Sequence, residues 1–415
     1  MKVGSSNLIE PGDCGVFDLI IDATGSDVSL VYNMELNISG MPKNLILYAD
    51  EQMQHKIPVI DNSSNSVTDR KIKIEDFIGI NDNSQTQIKR IYWQWPFESG
   101  TSDVEIASND IDDSRYMGSS VEMQISVIAK QTDEEPIYLA KKVNVGDLVN
   151  YSAENENVTP YITDSSLTGS TDTVTFDPNN DEMAWKVLYV NQDFGIIELI
   201  SADGTSNMLR LDGDVAFINA EKVLNDISSK YGNGDGAISG RSMKIQDIEQ
   251  YSNYDKTTYT GSGINYGNTK LYRSGHFFKE IKDKAGNVIG YETTLSQASV
   301  DEPIEMTMTH YSTYMTSANF SSEQIYSMLL KKSNGGAKCY WLASRSTATN
   351  LYCNFNIGYV TTVGQLTGFW LKESQGIPHN SATYVCPVVI LDTTLKTNNA
   401  KNANGGWDLV FDNAQ

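Results

Sequence analysis

Three aspartates lie close together in the first third of the chain, in a segment without the alternation of a strand: Asp110, Asp112 and Asp113. Carboxylate oxygens held on a loop are the ligands that Ca²⁺ prefers. The segment is therefore a candidate calcium site. A solvated acidic loop without metal is the alternative interpretation.

Motifs for zinc chemistry or nucleophilic catalysis are missing from the sequence. No His-Glu-x-x-His and no Gly-x-Ser-x-Gly occurs. Residues 231–236 imitate part of an EF-hand loop, yet Tyr231 and Ser242 stand where the loop needs Asp and Glu. This segment is more typical of a turn that ends a helix. We expect a protein that is not an enzyme; the alternative is a secreted hydrolase or metalloprotease-like protein whose site is not visible in sequence.

Two of the cysteines, Cys339 and Cys353, are candidates for a disulfide. If their strands form a hairpin with a tight turn centred on Ser346, the two cysteines lie opposite each other, within disulfide reach. A wider loop over residues 345–351 would instead set Cys339 against Ile357. Unpaired buried thiols are a further alternative.

Composition excludes several classes of partner. The chain has 415 residues, with 53 Asp and Glu against 31 Lys and Arg, and a net charge of −22. So acidic a protein repels nucleic-acid backbones and anionic lipid head groups. A hydrophobic content of 40% supports packed cores. No window approaches the roughly 18 apolar residues of a membrane span, so we expect no transmembrane segment.

Residues 1–131 are expected to form an antiparallel β-sandwich. Short runs with alternating polarity are separated by turn residues, as in a sandwich; they cover residues 16–21, 28–38, 45–48, 72–74, 88–95 and 121–128. Trp93 and Trp95 share one face of a strand, which predicts that both anchor a core.

A charged, proline-ended linker over residues 132–140 precedes an α+β domain over residues 141–415. Residues 184–190 and 195–201 predict a hairpin. Helices are expected over residues 220–231, capped by Asn219, and 322–331, where Ser321 and Gln324 have capping-box spacing. Further strands are expected at residues 339–344, 352–360 and 384–391.

The first domain carries three motifs: Gly15-Val-Phe-Asp-Leu-Ile-Ile-Asp22, Tyr92-Trp-Gln-Trp-Pro96, and Asn109-Asp-Ile-Asp-Asp113 followed by Gly118. Through these motifs, residues 7–131 resemble the camelysin/TasA-like exported proteins of Gram-positive bacteria. This likeness implies a jelly-roll-type sandwich that is exported and, in some members, polymerises through an N-terminal strand given to the next subunit. Residues 2–9 would be that strand here, with a disordered tail as the alternative. Residues 1–10 lack the features of an export signal, as expected for a mature part.

The second domain carries the motifs Val143-Asn-Val-Gly-Asp-Leu-Val-Asn-Tyr151, Cys339-Tyr-Trp-Leu-Ala-Ser-Arg345 and Val385-Cys-Pro-Val-Val-Ile-Leu391. Through these motifs it is similar to C-type-lectin-like domains repeated in bacterial surface proteins, with Cys386 where an arginine is usual. This likeness implies a recognition face on the loops beside the last strands. The candidate ligand-binding residues there are Tyr340, Arg345, Trp370, Lys372 and His379. Trp341 is expected in the core.

Together these likenesses imply an extracellular, cell-wall-associated or matrix protein. It would act in adhesion or ligand binding, or as a component of a biofilm fibre. The expected partner is a glycan or protein ligand on a cell surface, or a second copy bound through the N-terminal strand. No cofactor other than calcium is expected.

Overall fold

The computed structural model describes residues 9–42, 44–61, 69–96, 113, 116, 121–253, 270–272, 276–282, 288–295, 303–305, 313–330, 332–333, 336–349, 353–361, 365–372 and 382–411. The described chain is rich in strands and carries a smaller share of helices, as expected for a β-rich α+β protein. Within these residues, no helix has the length and hydropathy needed to cross a bilayer.

The first seven strands form two antiparallel sheets, with strand orders β1-β6-β3 and β4-β5-β2-β7. Their bounds are β1 (Cys14–Asp22), β2 (Leu30–Ser39), β3 (Ile46–Tyr48), β4 (Ile60–Asp61), β5 (Asp69–Ile78), β6 (Thr86–Gln94) and β7 (Glu122–Gln131). Side chains from both sheets share one buried cluster, which identifies a sandwich. The expected core tryptophans are both there, with Trp93 and Trp95 buried.

The segment after β7 is short and charged. β7 ends at Gln131, and the next helix, α1 (Leu139–Lys142), begins after Pro136. Both Tyr138 and Leu139 are buried: the Tyr138 hydroxyl donates to Glu75 of β5 at 3.1 Å, whereas Leu139 belongs to a core of the second part of the chain.

Two six-stranded sheets form the framework beyond residue 138. One has the order β14-β26-β12-β11-β8-β27 and the other β13-β25-β22-β23-β24-β19. The strands of the first sheet are β8 (Leu148–Asn150), β11 (Trp185–Asn191), β12 (Ile196–Ser201), β14 (Ala237–Ser242), β26 (Pro387–Leu391) and β27 (Gly406–Asp408). Those of the second are β13 (Met208–Arg210), β19 (Thr313–Tyr314), β22 (Tyr340–Thr349), β23 (Cys353–Val360), β24 (Gln365–Lys372) and β25 (Ala382–Tyr384). The predicted hairpin over residues 184–201 is confirmed as β11 and β12.

Short pairs of strands and short helices complete the second part. The strand pairs are β9 (Tyr161–Ile162) with β10 (Thr175–Phe176), β15 (Lys270–Tyr272) with β18 (Pro303–Glu305), β16 (His276–Lys282) with β17 (Val288–Leu295), and β20 (Lys332–Ser333) with β21 (Gly336–Ala337). The helices are α2 (Ser165–Thr168), α3 (Gly213–Tyr231), α4 (Ile245–Glu249) and α5 (Glu323–Leu329), with 3₁₀ turns at Pro178–Asn180 and Ser317–Asn319.

Helix α3 is longer than the sequence suggested. Its fully buried stripe includes Phe217, Val223 and Leu224, at the spacing of one helix face. The helix begins at Gly213, and the expected cap Asn219 lies inside it, donating a side-chain hydrogen bond to the Val215 carbonyl at 2.9 Å. Its end at Tyr231, followed by Gly232, confirms that residues 231–236 form a helix-ending turn.

Helix α5 was predicted with the wrong cap. Ser322, not Ser321, accepts the Ile325 amide at 3.2 Å. With Ser322 as the cap, the third helical position is Ile325 rather than Gln324, so Gln324 does not complete a capping box; its amide donates to the Gly146 carbonyl at 2.9 Å.

The first six-stranded sheet lies between two hydrophobic cores. Leu199 and Ile200 are neighbours on β12 and therefore point to opposite faces. Leu199 belongs to the core that includes α3, whereas Ile200 belongs to the core that includes α4 and α5. Ile196, from the same strand, packs into the sandwich core. This sheet thus joins the second part of the chain to the first.

Candidate functional site

The residues expected to form a lectin-like ligand face do not all face outward. Tyr340 is fully buried, and its hydroxyl donates to the Leu329 carbonyl. Burial raises its pKa well above the usual value, with the nearby Cys386 and Asp247 adding to the effect. The prediction that Tyr340 lines a ligand surface is therefore wrong. Trp341 is buried as expected, and its indole donates to the Leu209 carbonyl at 2.9 Å.

The other members of that predicted face lie on two strands of the second sheet. Arg345 pairs with Ile357, Trp370 with Asn356 and Lys372 with Phe355. His379 lies outside the described residues. The backbone register thus places three candidates within β22 and β24 rather than on loops.

Of the three candidate calcium ligands, Asp113 is among the described residues. Asp113 is buried, and its carboxylate accepts the Trp95 indole N–H at 3.0 Å. Asp110 and Asp112 lie outside the described residues. Among the residues the structure does describe, no group of three or more His, Cys, Asp or Glu side chains could hold a metal ion.

The expected cysteine pairing is wrong in register. Cys353 lies opposite Thr349, and Tyr340 lies opposite Val360. Cys339 therefore lies at the far end of the hairpin from Cys353, and its thiol is free. The chain turns later than both expected registers because β22 continues to Thr349.

A site that the sequence did not reveal lies on β7. This strand is an edge of the four-stranded sheet and, within the described residues, pairs only with β2. Ile125 lies opposite Leu36 and Val127 opposite Met34. Directly opposed residues share a face, and Leu36 and Met34 are buried in the sandwich core. Ile125 and Val127 therefore face inward, yet they are 47% and 51% exposed.

Contacts between the two sheets explain this exposure. Lys89 on β6 reaches Asp76 on β5 at 2.7 Å, and Gln87 on β6 accepts the Tyr32 hydroxyl on β2 at 2.7 Å. β6 therefore lies over β5 and β2. The Arg70 guanidinium on β5 donates to the Leu45 carbonyl beside β3 at 2.9 Å, so β3 lies on the β5 side.

These contacts leave β1 on the side of β7, because β1 is the other neighbour of β6. A sheet of three strands thus faces a sheet of four. No described strand lies beside the free edge of β1, opposite β7. We call this place, bounded by β1 and the inward face of β7, the open seam.

A second feature is a set of charges buried where the sandwich meets the first six-stranded sheet. Glu198 on β12 is buried, and its carboxylate accepts the Arg241 guanidinium at 2.5 Å. Arg241 also donates to both carboxylate oxygens of Asp247 on α4, at 2.7 and 2.8 Å. His55 lies 3.9 Å from Glu198 through Nδ1. We call these four residues the junction cluster.

Local structure places His55 in this cluster. Asp50 accepts the backbone amides of Gln54 and His55 at 3.1 and 2.8 Å, which closes the loop after β3. The His55 ring then lies against Tyr189 of β11.

Tyr189 reaches this position through an irregularity in β11. The register pairs Val187 with Leu199 and Tyr189 with Glu198, so Leu188 is an extra residue in the strand. Tyr189 therefore shares the face of Glu198.

Charge in the junction cluster is balanced by close pairing. Burial alone would raise the pKa of Glu198, but the positive charge of Arg241 and its hydrogen bond, with a contribution from the nearby His55, lower it to about 2. The pKa of Arg241 is raised above its usual value: burial opposes the shift, and the charges of Asp247 and Glu198 outweigh it. These groups remain ionised and hold each other in place.

One sequence signal could have revealed the cluster. Glu198 is a charged residue inside the otherwise apolar strand Ile196–Ser201, and charged residues are rarely buried unless paired. Its partners could not be named, because they come from distant loops and strands.

Comparisons of the chain with protein-family models, with curated proteins and with solved structures find no match. The likenesses to camelysin/TasA-like proteins and to lectin-like domains therefore depend on the sequence motifs alone.

Proposed function

We propose that this chain is a non-enzymatic protein of a Gram-positive cell surface or extracellular matrix, and that its sandwich binds a β-strand from a second copy of the chain. The inward face of β7 is the observation that carries the proposal. Ile125 and Val127 occupy core-facing positions without being covered. An added strand beside β1 would cover them and pair the free edge of β1, which is the physical basis of strand addition.

The segment before β1 is the donor in this proposal. Val3, Leu8 and Ile9 are compatible with a strand. In the camelysin/TasA-like proteins that polymerise, the N-terminal strand is given to the next subunit. We therefore assign the donor strand to a second copy of the chain.

In the same proposal the sandwich is of the jelly-roll type and residues 141–415 have a lectin-like fold. The support is the set of motifs shared with those families. The second part would present a glycan- or protein-binding face that includes Arg345 and Trp370. A glycan and protein array probed with the full chain, and with an Arg345→Ala/Trp370→Ala variant, tests this face.

Strand addition is tested by two isoleucines on opposite faces of β7. Burying an isoleucine contributes about 1.5–3 kcal/mol, so Ile125→Lys should weaken assembly by about tenfold or more. Ile128 lies on the outward face and is 64% exposed, so Ile128→Lys is the matched control. Light scattering and electron microscopy over a concentration series measure assembly.

A peptide of residues 2–9 gives an independent readout. It should bind the full chain lacking residues 1–9, and the Ile125→Lys variant of that chain should lose this binding. Equal assembly of both lysine variants, together with no peptide binding, would reject the open seam as the acceptor.

A further inference from the structure

A cleft of about 330 Å³ opens beside the first six-stranded sheet, where three segments of the chain meet. The segments are the start of β14, the turn after β26 and the end of the described chain. Backbone hydrogen bonds join them: the Asp392 amide donates to the Gly236 carbonyl at 2.8 Å, and the Val410 amide to the Lys396 carbonyl at 2.9 Å. The walls of the cleft are therefore preformed, and its volume lies at the lower end of the range of ligand-binding pockets.

The apolar part of the lining includes an accessible aromatic ring. Gly236 has a φ of 81°, and a Cβ placed there would lie 3.0 Å from Cε1 of Phe411 and 3.2 Å from Cδ1 of Leu395. Both side chains therefore pack over the glycine. Leu395 is 7% exposed, whereas Phe411 is 47% exposed. The Phe411 ring is thus held in place while part of it stays open to a ligand.

A carboxylate also lines the cleft, and a turn fixes its position. Oδ1 of Asp392 accepts both the amide of Thr394, at 2.8 Å, and its hydroxyl, at 2.7 Å. Within the described part of the chain, Oδ2 of Asp392 has no hydrogen-bond partner. Lys396 also lines the cleft, but its ammonium lies 3.6 Å from the Glu75 carboxylate on β5. Glu75 thus compensates the charge of the lysine, and one oxygen of Asp392 can accept a ligand.

We propose that this cleft binds the guanidinium group of an arginine side chain from a basic partner protein. A guanidinium is planar, stacks on aromatic rings and donates hydrogen bonds to carboxylates. Phe411 and Asp392 match these two kinds of contact. The charge of the chain favours the same partner: at a net charge of −22, it attracts basic proteins and repels a second copy of itself.

The arginine site does not depend on the function proposed above. It is built on the first six-stranded sheet, whereas Arg345 and Trp370 lie on strands of the second and the open seam lies in the sandwich. An Arg345→Ala/Trp370→Ala variant should therefore bind arginine as wild type does, and failure of either proposal leaves the other standing.

The test is binding of N-acetyl-arginine amide to the full chain, followed by ligand-observed NMR at low salt. N-acetyl-citrulline amide has nearly the same shape without the charge, and it should bind about tenfold more weakly or less. Asp392→Asn should weaken binding of the arginine probe by about tenfold, and it keeps an oxygen for Thr394, so the turn stays intact. Phe411→Leu keeps an apolar side chain without the ring, and should weaken binding by about two- to fivefold.

Asp203→Asn is the matched control for charge, because Asp203 is exposed and does not line the cleft. This variant should bind the arginine probe as wild type does, and thermal unfolding checks that each variant is folded. No binding of the arginine probe to wild type, or equal affinity for the two probes, would overturn the proposal. Equal weakening by Asp203→Asn and Asp392→Asn would also overturn it, because the overall charge of the protein would then account for binding.

Discussion

The imidazole of His55 lies flat on the phenol ring of Tyr189, with the ring centroids 3.3 Å apart and the planes 2° apart. His55 belongs to the sandwich and Tyr189 to the first six-stranded sheet beyond it. Phe194 and Ile196 extend the same contact as members of the sandwich core. The two parts of the chain therefore share buried surface rather than being tethered by a linker alone, and we expect them to unfold together.

Lys89 tests the polar side of this junction. Its ammonium is buried, 2.7 Å from Asp76 and 2.6 Å from the Asp193 carbonyl of the second part. Lys89→Met should cost about 1.5–3 kcal/mol in free energy of unfolding, because Asp76 loses a buried charge-assisted hydrogen bond but keeps its pair with Lys141. Urea denaturation measures the change. Lys71→Met, which removes a surface pair with Glu35, should cost less than about 1 kcal/mol; equal costs would contradict the role of burial.

The lowered pKa of Glu198 predicts how the free energy of unfolding depends on pH. Its pKa is lowered to about 2 in the folded chain, against about 4.3 in an unfolded one. A group with a lowered folded pKa stabilises above its unfolded pKa and loses that contribution as the pH falls. Wild type should therefore lose about 3 kcal/mol between about pH 4.5 and 2 from this group.

The matching experiment compares two Glu→Gln variants. Glu198→Gln should flatten the dependence of unfolding free energy on pH over that range. Glu35 lies in a surface pair with Lys71, and Glu35→Gln should leave the dependence as in wild type. An unchanged acid limb in Glu198→Gln would show that other carboxylates control acid unfolding.

Comparing Gly195 with Gly25 distinguishes the cost of backbone strain from the cost of a close contact. Gly195 and Gly25 both have positive φ, at 68° and 86°, but a Cβ at Gly195 would lie 2.1 Å from the Thr393 carbonyl oxygen. A Cβ at Gly25 would meet nothing within 4 Å. Gly25→Ala should lower the free energy of unfolding by about 1 kcal/mol, because of the left-handed backbone. Gly195→Ala should lower it by about 1–3 kcal/mol more, because of the close contact. Thermal unfolding of both variants measures the difference, and equal losses of stability would contradict the close contact at Gly195.

Tyr340 tests the corrected view of the lectin-like face. Its buried hydroxyl bonds to the Leu329 carbonyl, so Tyr340→Phe should cost about 1–2 kcal/mol in stability. Binding to any array ligand should stay unchanged. Tyr161 has no hydroxyl hydrogen bond among the described residues, and Tyr161→Phe should be close to neutral. Loss of ligand binding without loss of stability in Tyr340→Phe would return Tyr340 to the recognition face.

Sequence patterns predicted the elements whose signals are local. Alternation over residues 184–201 predicted the hairpin of β11 and β12, and apolar spacing around Val223 predicted the body of α3. Ends of elements were less accurate, because an Asn or Ser forms a cap only if the backbone turns there. Asn219 lies inside a helix and Ser322 replaces Ser321 for this reason.

The candidate sites depend on which strands meet, and spacing along the chain does not encode that. The exposure of Ile125 follows from the way a sheet of three described strands faces a sheet of four. Glu198 is enclosed by two segments that are distant from it in sequence: the loop that carries His55 and the helix α4 that carries Asp247. Because β22 extends to Thr349, Cys339 and Cys353 likewise do not lie opposite each other.

The extra residue in β11 lets two consecutive side chains, those of Leu188 and Tyr189, lie on the same face of the sheet. Leu188 lies in the core beside α4 while Tyr189 is paired with Glu198. Removing Leu188 would restore regular alternation and leave Tyr189 opposite Glu198, with the loss of one leucine from that core. Most substitutions of Leu188 by another apolar residue would leave Tyr189 where it is. During divergence of such chains, the register of β11 should therefore survive the loss of this one residue, whereas a further inserted residue would turn the side chains on one side of it to the opposite face.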